Sequence, residues 1–321
     1  MSEENYQCAY RNKTVRDLAW VLNSPSLIIQ NDQNEDIRIL NKTWFQSHYK
    51  RFNSLLTDLD KDSGSLEIYI ANNPTRFLGS YFEKLVAFWF EHSSIIDSVA
   101  NNIQVNKNNR TIGEFDFLYR YKGEDEVHHL EIAVKYYLHH NNNSGKPGLS
   151  DWIGPNPSDR LDKKYHKLLH KQCRLGWHEA GREYLHELGI GSVIPELLIK
   201  GYLFRHINEK DSTSFIDSNP VINPTHPEGW WCFNDELELC IKKLSGIYRW
   251  IILPKRRWLS RECYVSHKKS IGTANVPVEI NRHFSQNIHP LLLIQLKRLK
   301  ESTWTEISRG FVVPNEWPAI S

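Results

Sequence analysis

The fold is indicated most clearly by residues 113–138, GEFDFLYRYKGEDEVHHLEIAVKYYL, within a chain of 321 residues. Residues 113–121 and 127–138 are rich in aromatic and β-branched side chains, which favour strands. Residues 122–125, KGED, lie between them and are typical of a turn. This stretch therefore predicts a β-hairpin.

Charged residues occupy one face of each predicted strand. Because side chains alternate between the two faces of a strand, Glu114 and Asp116 share one face of the first strand. Glu131 and Lys135 likewise share one face of the second strand. A turn centred on residues 123–124 would place Asp116 opposite Glu131, with Cβ atoms about 5 Å apart. Two carboxylates at that distance repel each other, so a cation is their expected partner.

A divalent metal ion fits this pair of carboxylates. Mg²⁺ is usually held by one or two carboxylates together with water and substrate phosphate, and Mn²⁺ accepts the same ligands. Such an ion orients a phosphodiester and stabilises charge on its oxygens, while a nearby lysine positions the attacking water. The pattern therefore predicts a Mg²⁺ or Mn²⁺ site at Asp116 and Glu131, with Lys135 as the candidate lysine.

The segments before the hairpin have the periodicity of helices. Apolar residues recur at spacings of three and four in residues 14–27, 40–56 and 76–91, which predicts packed helices. The last of these helices carries Glu83. We therefore expect a helical N-terminal region followed by an acidic helix that leads into the hairpin.

The segments after the hairpin predict a helix and then a buried strand. Residues 159–175 form the helix, with Ser158 or Asp159 as its N-cap. Residues 196–206 form the strand. The predicted order of elements in the centre of the chain is therefore helix, strand pair, helix, strand.

The last third of the chain has a weaker pattern. Short strands are predicted at residues 229–233 and 248–253, and helices at residues 235–244 and 290–300. The expected organisation is a helical N-terminal region at 1–71, an α/β core at 72–206, and a C-terminal α+β region at 207–321 packed on the core.

Basic residues are concentrated in two places. Within the predicted helix at 159–175, cations recur at spacings of three and four and would lie along adjoining faces: Arg160, Lys163, Lys164, Lys167, Lys171 and Arg174. Contact with nucleic-acid phosphates is one interpretation of that helix, and a plain charged surface is the other. The run Lys255–Arg257, followed by Trp258, joins charge to a ring that could stack on a base.

Bulk composition sets broader expectations. The net charge of +2 neither requires nor excludes nucleic acid as a partner. The five cysteines are scattered, without a Cys-x-x-Cys pair, so we expect reduced thiols in a reducing compartment. The chain begins with polar residues, and no stretch approaches the roughly 20 apolar residues of a membrane span. These features predict a cytoplasmic protein without a membrane partner.

The hairpin resembles the signature of the PD-(D/E)XK nucleases. Gly113-Glu-Phe-Asp116 followed by Glu131-Ile-Ala-Val-Lys135 is similar to the Gly-Glu-x-Asp and Glu-x-Lys pattern of that superfamily. Members also carry an acidic helix before the hairpin and a basic helix, often with a glutamine, after it. The resemblance implies a restriction-endonuclease-like α/β core and Mg²⁺-dependent hydrolysis of DNA. It also implies roles for individual residues: Glu83, Asp116 and Glu131 as metal ligands, Asp116, Glu131 and Lys135 in catalysis, and Lys164 and Gln172 in substrate binding. The spacing of cations along the same helix adds Arg160 to the predicted substrate-binding residues.

The position of the lysine departs from the nuclease pattern. The family lysine follows the acidic residue by two positions, where this chain has Ala133, whereas Lys135 follows by four. Two further residues move a side chain about 6.6 Å along a regular strand, although a bulge would shorten this distance. In the alternative alignment, Ala133 takes the acidic position and Glu83 or Glu114 supplies the missing carboxylate. Asp116 belongs to the site in both alignments.

A second resemblance extends over most of the chain. Short motifs are similar to those of the bacterial domain of unknown function family 1853: VRDLAW at 15–20, GPN at 154–156, DRL at 159–161, GWW at 229–231, LPK at 253–255, WL at 258–259 and RGF at 309–311. That family has no established activity, so the expected reaction depends on the nuclease resemblance. The alternative is a catalytically inactive module of the same fold that binds nucleic acid or a protein partner, and a third interpretation is a structural scaffold.

Overall fold

A mixed sheet of twelve strands organises the part of the chain that the computed structural model describes, namely residues 8–31, 36–72, 74–140, 148–209, 219–242, 247–300 and 303–319. The strands are β1 (Arg38–Ile39), β2 (Ile96–Lys107), β3 (Arg110–Tyr121), β4 (Val127–His139), β5 (Trp152–Ile153), β6 (Val193–His206), β7 (Glu228–Phe233), β8 (Tyr248–Leu253), β9 (Val265–Ser266), β10 (Ile271–Gly272), β11 (Leu291–Lys300) and β12 (Thr303–Val313). Along the sheet their order is β10-β8-β11-β12-β7-β6-β4-β3-β2, with β1, β5 and β9 attached beside this path.

Helices cover both faces of the central strands. They are α1 (Lys13–Asn23), α2 (Lys42–Lys61), α3 (Gly64–Ala71), α4 (Leu78–Glu91), α5 (Leu161–Lys167), α6 (Glu179–Glu187), α7 (Leu237–Lys242) and α8 (Val276–Phe284). The first four helices share a buried apolar cluster with Ile132 and Tyr136 of β4. Helix α5 packs on the opposite face, in a cluster with Ala133 and Tyr137. The helices predicted before the hairpin are thus confirmed, and the protein is a mixed α/β protein.

The predicted hairpin is confirmed, together with its register. Strands β3 and β4 are antiparallel and pair Phe117 with Leu130 and Tyr119 with His128. This register directs Asp116 toward Glu131, as the turn centred on residues 123–124 requires. The hairpin forms because apolar side chains on both strands are buried between the helical layers.

Strand β6 lies parallel to β4 on the side away from β3, and the predicted strand at 196–206 is confirmed. In this pair Gly201 lies opposite Lys135. Gly201 has a φ of +143°, and a Cβ atom there would lie 1.6 Å from the carbonyl oxygen of Lys135. Only glycine allows the two backbones to approach this closely, so Gly201 sets the distance between β4 and β6 at Lys135.

The helix predicted at residues 290–300 is wrong, because this segment is strand β11, paired with β8 and β12. Leu292 and Ile294 are buried in one apolar cluster, and Leu293 between them is buried in another. A strand buried on both faces is a continuous apolar run, and periodicity alone does not separate such a run from a buried helix.

The helix predicted at residues 159–175 is confirmed only in part. Helix α5 is followed by one turn of π-helix at Leu168–Gln172, so that the element changes its winding halfway. The N-cap position is Arg160, without a side-chain cap hydrogen bond. The prediction that Ser158 or Asp159 caps this helix is therefore wrong.

The cysteines also differ from expectation. Cys8 and Cys263 form a disulfide with a Cα–Cα distance of 5.7 Å, whereas Cys173, Cys232 and Cys240 are buried and belong to no disulfide. The prediction of five reduced thiols is therefore wrong for two of them. The paired residues are 255 positions apart, and no local pattern in the sequence indicates that they meet.

The sheet is continuous across the boundary expected after residue 206. Strand β6, before this boundary, pairs in parallel with β7 after it. The division into three regions stays a prediction, although the hydrogen-bonded sheet itself does not stop there. No helix among the described residues is both long enough and apolar enough to cross a membrane.

Candidate active site at the open edge of strand β4

The candidate site lies where strands β3 and β4 separate. Their pairing ends at Phe117 and Leu130, and within the described residues β4 has no strand on that side until Leu138 pairs with Ile153 of β5. The exposed edge between these points forms one wall of a cleft of about 340 Å³, which we call the acidic cleft, lined by Glu83, Lys135, Asp159 and Lys164 among others. The divergence of two strands thus leaves room for a ligand at the sheet edge.

Asp116 closes the end of the β3–β4 ladder. Its Oδ2 accepts a hydrogen bond of 2.9 Å from the backbone N–H of Ile132, where a regular sheet would provide a carbonyl. Since Ile132 also lines the acidic cleft, this bond holds the Asp116 carboxylate beside the opening. The structure therefore brings Asp116 to the position that the sequence predicted.

Glu131 is fully buried behind the acidic cleft. Its Oε2 accepts a hydrogen bond of 2.9 Å from Nε2 of Gln172, and its Oε1 lies 2.9 Å from Nε2 of His129. Burial lowers the pKa of His129 to about 4, so this ring is neutral near pH 7. Glu131 is therefore held by two neutral side chains rather than by an ion pair.

Burial raises the pKa values of the carboxyl groups at the site. It raises the pKa of Asp116 to about 7, and repulsion by Glu131 acts in the same direction. Burial also raises the pKa of Glu131 to about 7, against the opposing effect of Lys164. The pKa of Glu83 is raised first by burial and then by Asp116 and Glu114. The three predicted metal ligands are thus close enough to interact, and a cation would relieve their repulsion.

Lys164 is linked to Glu131 through the side chain of Gln172. Its Nζ donates a hydrogen bond of 3.1 Å to Oε1 of Gln172, the same amide that binds Glu131. Burial and then Lys135 lower the pKa of Lys164, whereas Glu131 and Asp116 raise it. The link from Lys164 through Gln172 to Glu131 agrees with the expectation that the helix after the hairpin reaches the site.

Lys135 lies in the same cleft but has a different partner. Its Nζ donates a hydrogen bond of 2.5 Å to Oδ2 of Asp159, and the hydroxyl of Tyr137 donates to the other oxygen at 3.1 Å. Within the described residues no hydrogen bond joins Lys135 to Asp116 or Glu131. In the sequence, Lys135 follows Glu131 by four residues instead of two. In the structure, its amine correspondingly binds Asp159 and not the two carboxylates.

Arg160 stands apart from the group. Its Nε and Nη2 bind the two carboxylate oxygens of Asp162 at 2.9 and 2.5 Å, and its side chain does not line the acidic cleft.

Sequence reasoning missed Asp159, which it interpreted as a helix cap, and His129, to which it assigned no role. A signal for His129 was present, since it precedes Glu131 by two residues and therefore shares its face of the strand.

Two carboxylates are enough for the predicted cation. Among the described residues no group of three or more His, Cys, Asp and Glu side chains has the arrangement of a self-contained metal site. Mg²⁺ commonly uses one or two carboxylates and takes its remaining oxygens from water and substrate phosphate. Asp116 is half-buried, Glu131 is buried beside it, and within the described residues neither is hydrogen-bonded to a lysine or arginine side chain, so the two fit that donor set.

The fold and the cleft together define a mixed α/β protein with a buried acidic site at the edge of its sheet. Residues 16–313 match the model of a domain of unknown function, DUF1853. Because this match covers most of the chain, the protein belongs to that family. Comparison with curated proteins and with solved structures gives no significant match.

Proposed function

We propose that this protein is a metal-dependent nuclease that hydrolyses DNA phosphodiester bonds, with a core of the PD-(D/E)XK type. The observation that carries the proposal is the pair Asp116 and Glu131 at the point where β3 and β4 separate. The register of the hairpin supports it, and so does the hydrogen bond from Gln172 to Glu131. Two interacting acids with raised pKa values beside a cleft are characteristic of functional sites, where burial and like charges shift pKa values.

Each residue of the site has a proposed task. Asp116 and Glu131 provide the negative charge that would bind Mg²⁺ or Mn²⁺, and such an ion would supply Lewis-acid polarisation of the scissile phosphate. Gln172 orients Glu131 through its amide. Glu83, which lines the acidic cleft, assists as a third carboxylate directly or through water. Lys164 holds positive charge close to where the phosphate oxygens would lie.

The lysine assignment separates two versions of the proposal. In the first, Lys164 stabilises the developing charge and Lys135 only holds the wall of the cleft through Asp159. In the second, Lys135 leaves Asp159 when substrate binds and acts as the nuclease pattern predicts. The hydrogen bonds favour the first version, because Lys164 is connected to Glu131 and Lys135 is connected to Asp159.

Cleavage of linear, circular and single-stranded DNA with Mg²⁺ or Mn²⁺ tests this proposal. The wild type is compared with Asp116→Asn, Lys164→Ala and Lys135→Ala, and with Lys163→Ala as an exposed control on the same helix. We expect Asp116→Asn and Lys164→Ala to lose activity by about 100-fold or more, and Lys163→Ala to retain it. Loss with Lys135→Ala and retention with Lys164→Ala would support the second version. Full cleavage by Asp116→Asn would contradict the proposal.

A second candidate function is a catalytically inactive module that binds nucleic acid or a protein partner. The ion pair between Lys135 and Asp159 favours it, because the lysine of the nuclease pattern is already engaged. This candidate predicts no cleavage with either metal and no thermal stabilisation by Mg²⁺ or Mn²⁺. A nuclease should instead gain stability by mass action as metal is added.

A further inference from the structure

A second opening continues the acidic cleft toward the C-terminal part of the chain. It has a volume of about 690 Å³, and we call it the apolar pocket because Pro157, Ile252, Ile288 and Trp317 are among the residues that line it. The two openings share Pro155, Asn156, Lys255 and Trp258 as lining residues. They therefore adjoin and form one groove that runs from Glu83 and Lys164 to the end of strand β8.

The groove combines apolar surface with a cation at its midpoint. Lys255 is exposed, and its Nζ lies 5.7 Å from the centre of the Trp258 ring. A nucleotide has the matching chemistry, because its base is flat and largely apolar on its faces while its phosphate is anionic. A volume of 690 Å³ is within the range of about 300–1,000 Å³ usual for small-molecule sites, so it accommodates an unstacked nucleotide.

An exposed aromatic ring also lines the acidic cleft. Phe77, at the start of α4, is 74 % exposed and lines the acidic cleft. A phenylalanine ring in water is unfavourable unless a ligand covers it, and stacking on a base is a common way to cover it. Apolar surface for bases is therefore present in the acidic cleft as well as in the apolar pocket.

We infer that the groove binds an unpaired strand of DNA, with one phosphate at Lys255 and the adjoining base in the apolar pocket. This inference rests on the proposed function, which it extends from DNA in general to single-stranded or frayed DNA. Bases in a duplex are stacked and paired and would have to be extruded to enter the pocket, whereas an unpaired strand avoids that unfavourable step. The C-terminal part of the chain, which supplies Lys255, Trp258 and Ile288, would then select the form of the substrate.

Binding of a fluorescently labelled single-stranded oligonucleotide, and of the duplex of the same sequence, tests the inference by anisotropy. All proteins carry Asp116→Asn to suppress cleavage. Ile288 is 60 % exposed at the pocket, so Ile288→Asp adds a negative charge there without disturbing the core. The matched control is Ile247→Asp, at a residue that is 86 % exposed and outside both openings. Lys255→Glu is paired in the same way with Lys268→Glu, which is also exposed on a short turn.

We expect Ile288→Asp and Lys255→Glu to raise the Kd for the single strand by about tenfold or more, the size of one lost base-stacking contact. The controls should change it less than about twofold, and duplex binding should be weak throughout. Equal Kd values for Ile288→Asp and Ile247→Asp, or tighter binding of duplex than of single strand, would overturn the inference.

The two proposals fail in distinguishable ways. Cleavage is compared separately, in proteins that keep Asp116. If the wild type cleaves DNA, and Ile288→Asp changes neither binding in the Asp116→Asn background nor cleavage with Asp116 intact, the nuclease stands and the pocket inference is overturned. If no protein cleaves under any metal but Ile288→Asp still weakens single-strand binding selectively, the pocket inference stands and the nuclease proposal is overturned.

Discussion

At the carboxylate pair, the folded protein holds protons more tightly than the unfolded chain does. The pKa of Asp116 rises from its ordinary value of 3.8 to about 7, and that of Glu131 from 4.5 to about 7. A group with a raised pKa stabilises the fold at low pH and loses this contribution as the pH rises through the folded value. The acidic cleft is thus a local source of instability at neutral pH that a bound cation would remove.

The unfolding free energy should therefore fall between about pH 4 and about pH 7, by up to about 1.4 kcal/mol per pH unit for each group. Asp116→Asn removes one of these groups, so its unfolding free energy should fall less steeply over the same range. Chemical denaturation at several pH values measures both slopes. Identical slopes for the two proteins would show that Asp116 titrates normally.

A bound metal ion should offset the loss of stability that occurs as the pH rises. Because protons and a cation compete for the same carboxylates, added Mg²⁺ should raise the melting temperature of the wild type more at about pH 8 than at about pH 5. Asp116→Asn should show a much smaller shift at either pH, and Asp97→Asn, on the neighbouring strand β2, serves as a control. An equal response from all three proteins would indicate nonspecific metal binding.

Among the elements, the contact between β4 and β6 depends on one glycine. Gly201→Ala would place a methyl group against the carbonyl oxygen of Lys135 and keep an alanine at a φ of +143°. We expect it to lower the unfolding free energy by about 1–3 kcal/mol. The control is Gly191→Ala, where nothing lies within 4 Å of a new Cβ. The free energies of unfolding of both variants are measured by denaturant titration. Equal values for Gly201→Ala and Gly191→Ala would mean that β4 and β6 can move apart at residue 201 without destabilising the fold.

The elements also show which parts of the fold local sequence can predict. The β3–β4 hairpin was predictable with its register, because alternation and a short turn are local signals. Strand β11 was not, since both of its faces are buried. Strand β2 was not predicted either, because most of its residues are exposed or half-buried and few are apolar.

For the site, Asp116 and Glu131 followed from the hairpin, whereas the pairing of Lys135 with Asp159 depends on a loop whose path only tertiary structure determines.

In the whole molecule, the expected core at residues 72–206 shares its interior with the C-terminal strands. The Trp258 ring lies 5.2 Å from that of Tyr136 on β4, and Phe204 of β6 lies 4.8 Å from Phe311 of β12. Isolating residues 72–206 would expose these rings, the free edge of β6, and the side chains of β4 that share an apolar cluster with the first three helices.

We therefore expect residues 72–206 alone to lack a cooperative thermal transition and to aggregate, while the full chain unfolds cooperatively. Circular dichroism and light scattering on both proteins test this expectation. A sharp transition from the shorter chain would show that the core folds as an independent domain and would contradict this expectation.

The π-helical turn after α5 has a geometric consequence for the acidic cleft. In an uninterrupted α-helix, residues eight positions apart are rotated by about 80° around the axis, so Lys164 and Gln172 would point in different directions. A π turn holds an extra residue in each revolution and thereby rotates Gln172 back toward the direction of Lys164, where it also meets Glu131. Regular α-helical winding of the same residues, with none removed, would leave the glutamine turned about 80° away from Lys164 and from the acid. The irregular winding is thus what allows a single helix to present an amine and an amide side by side.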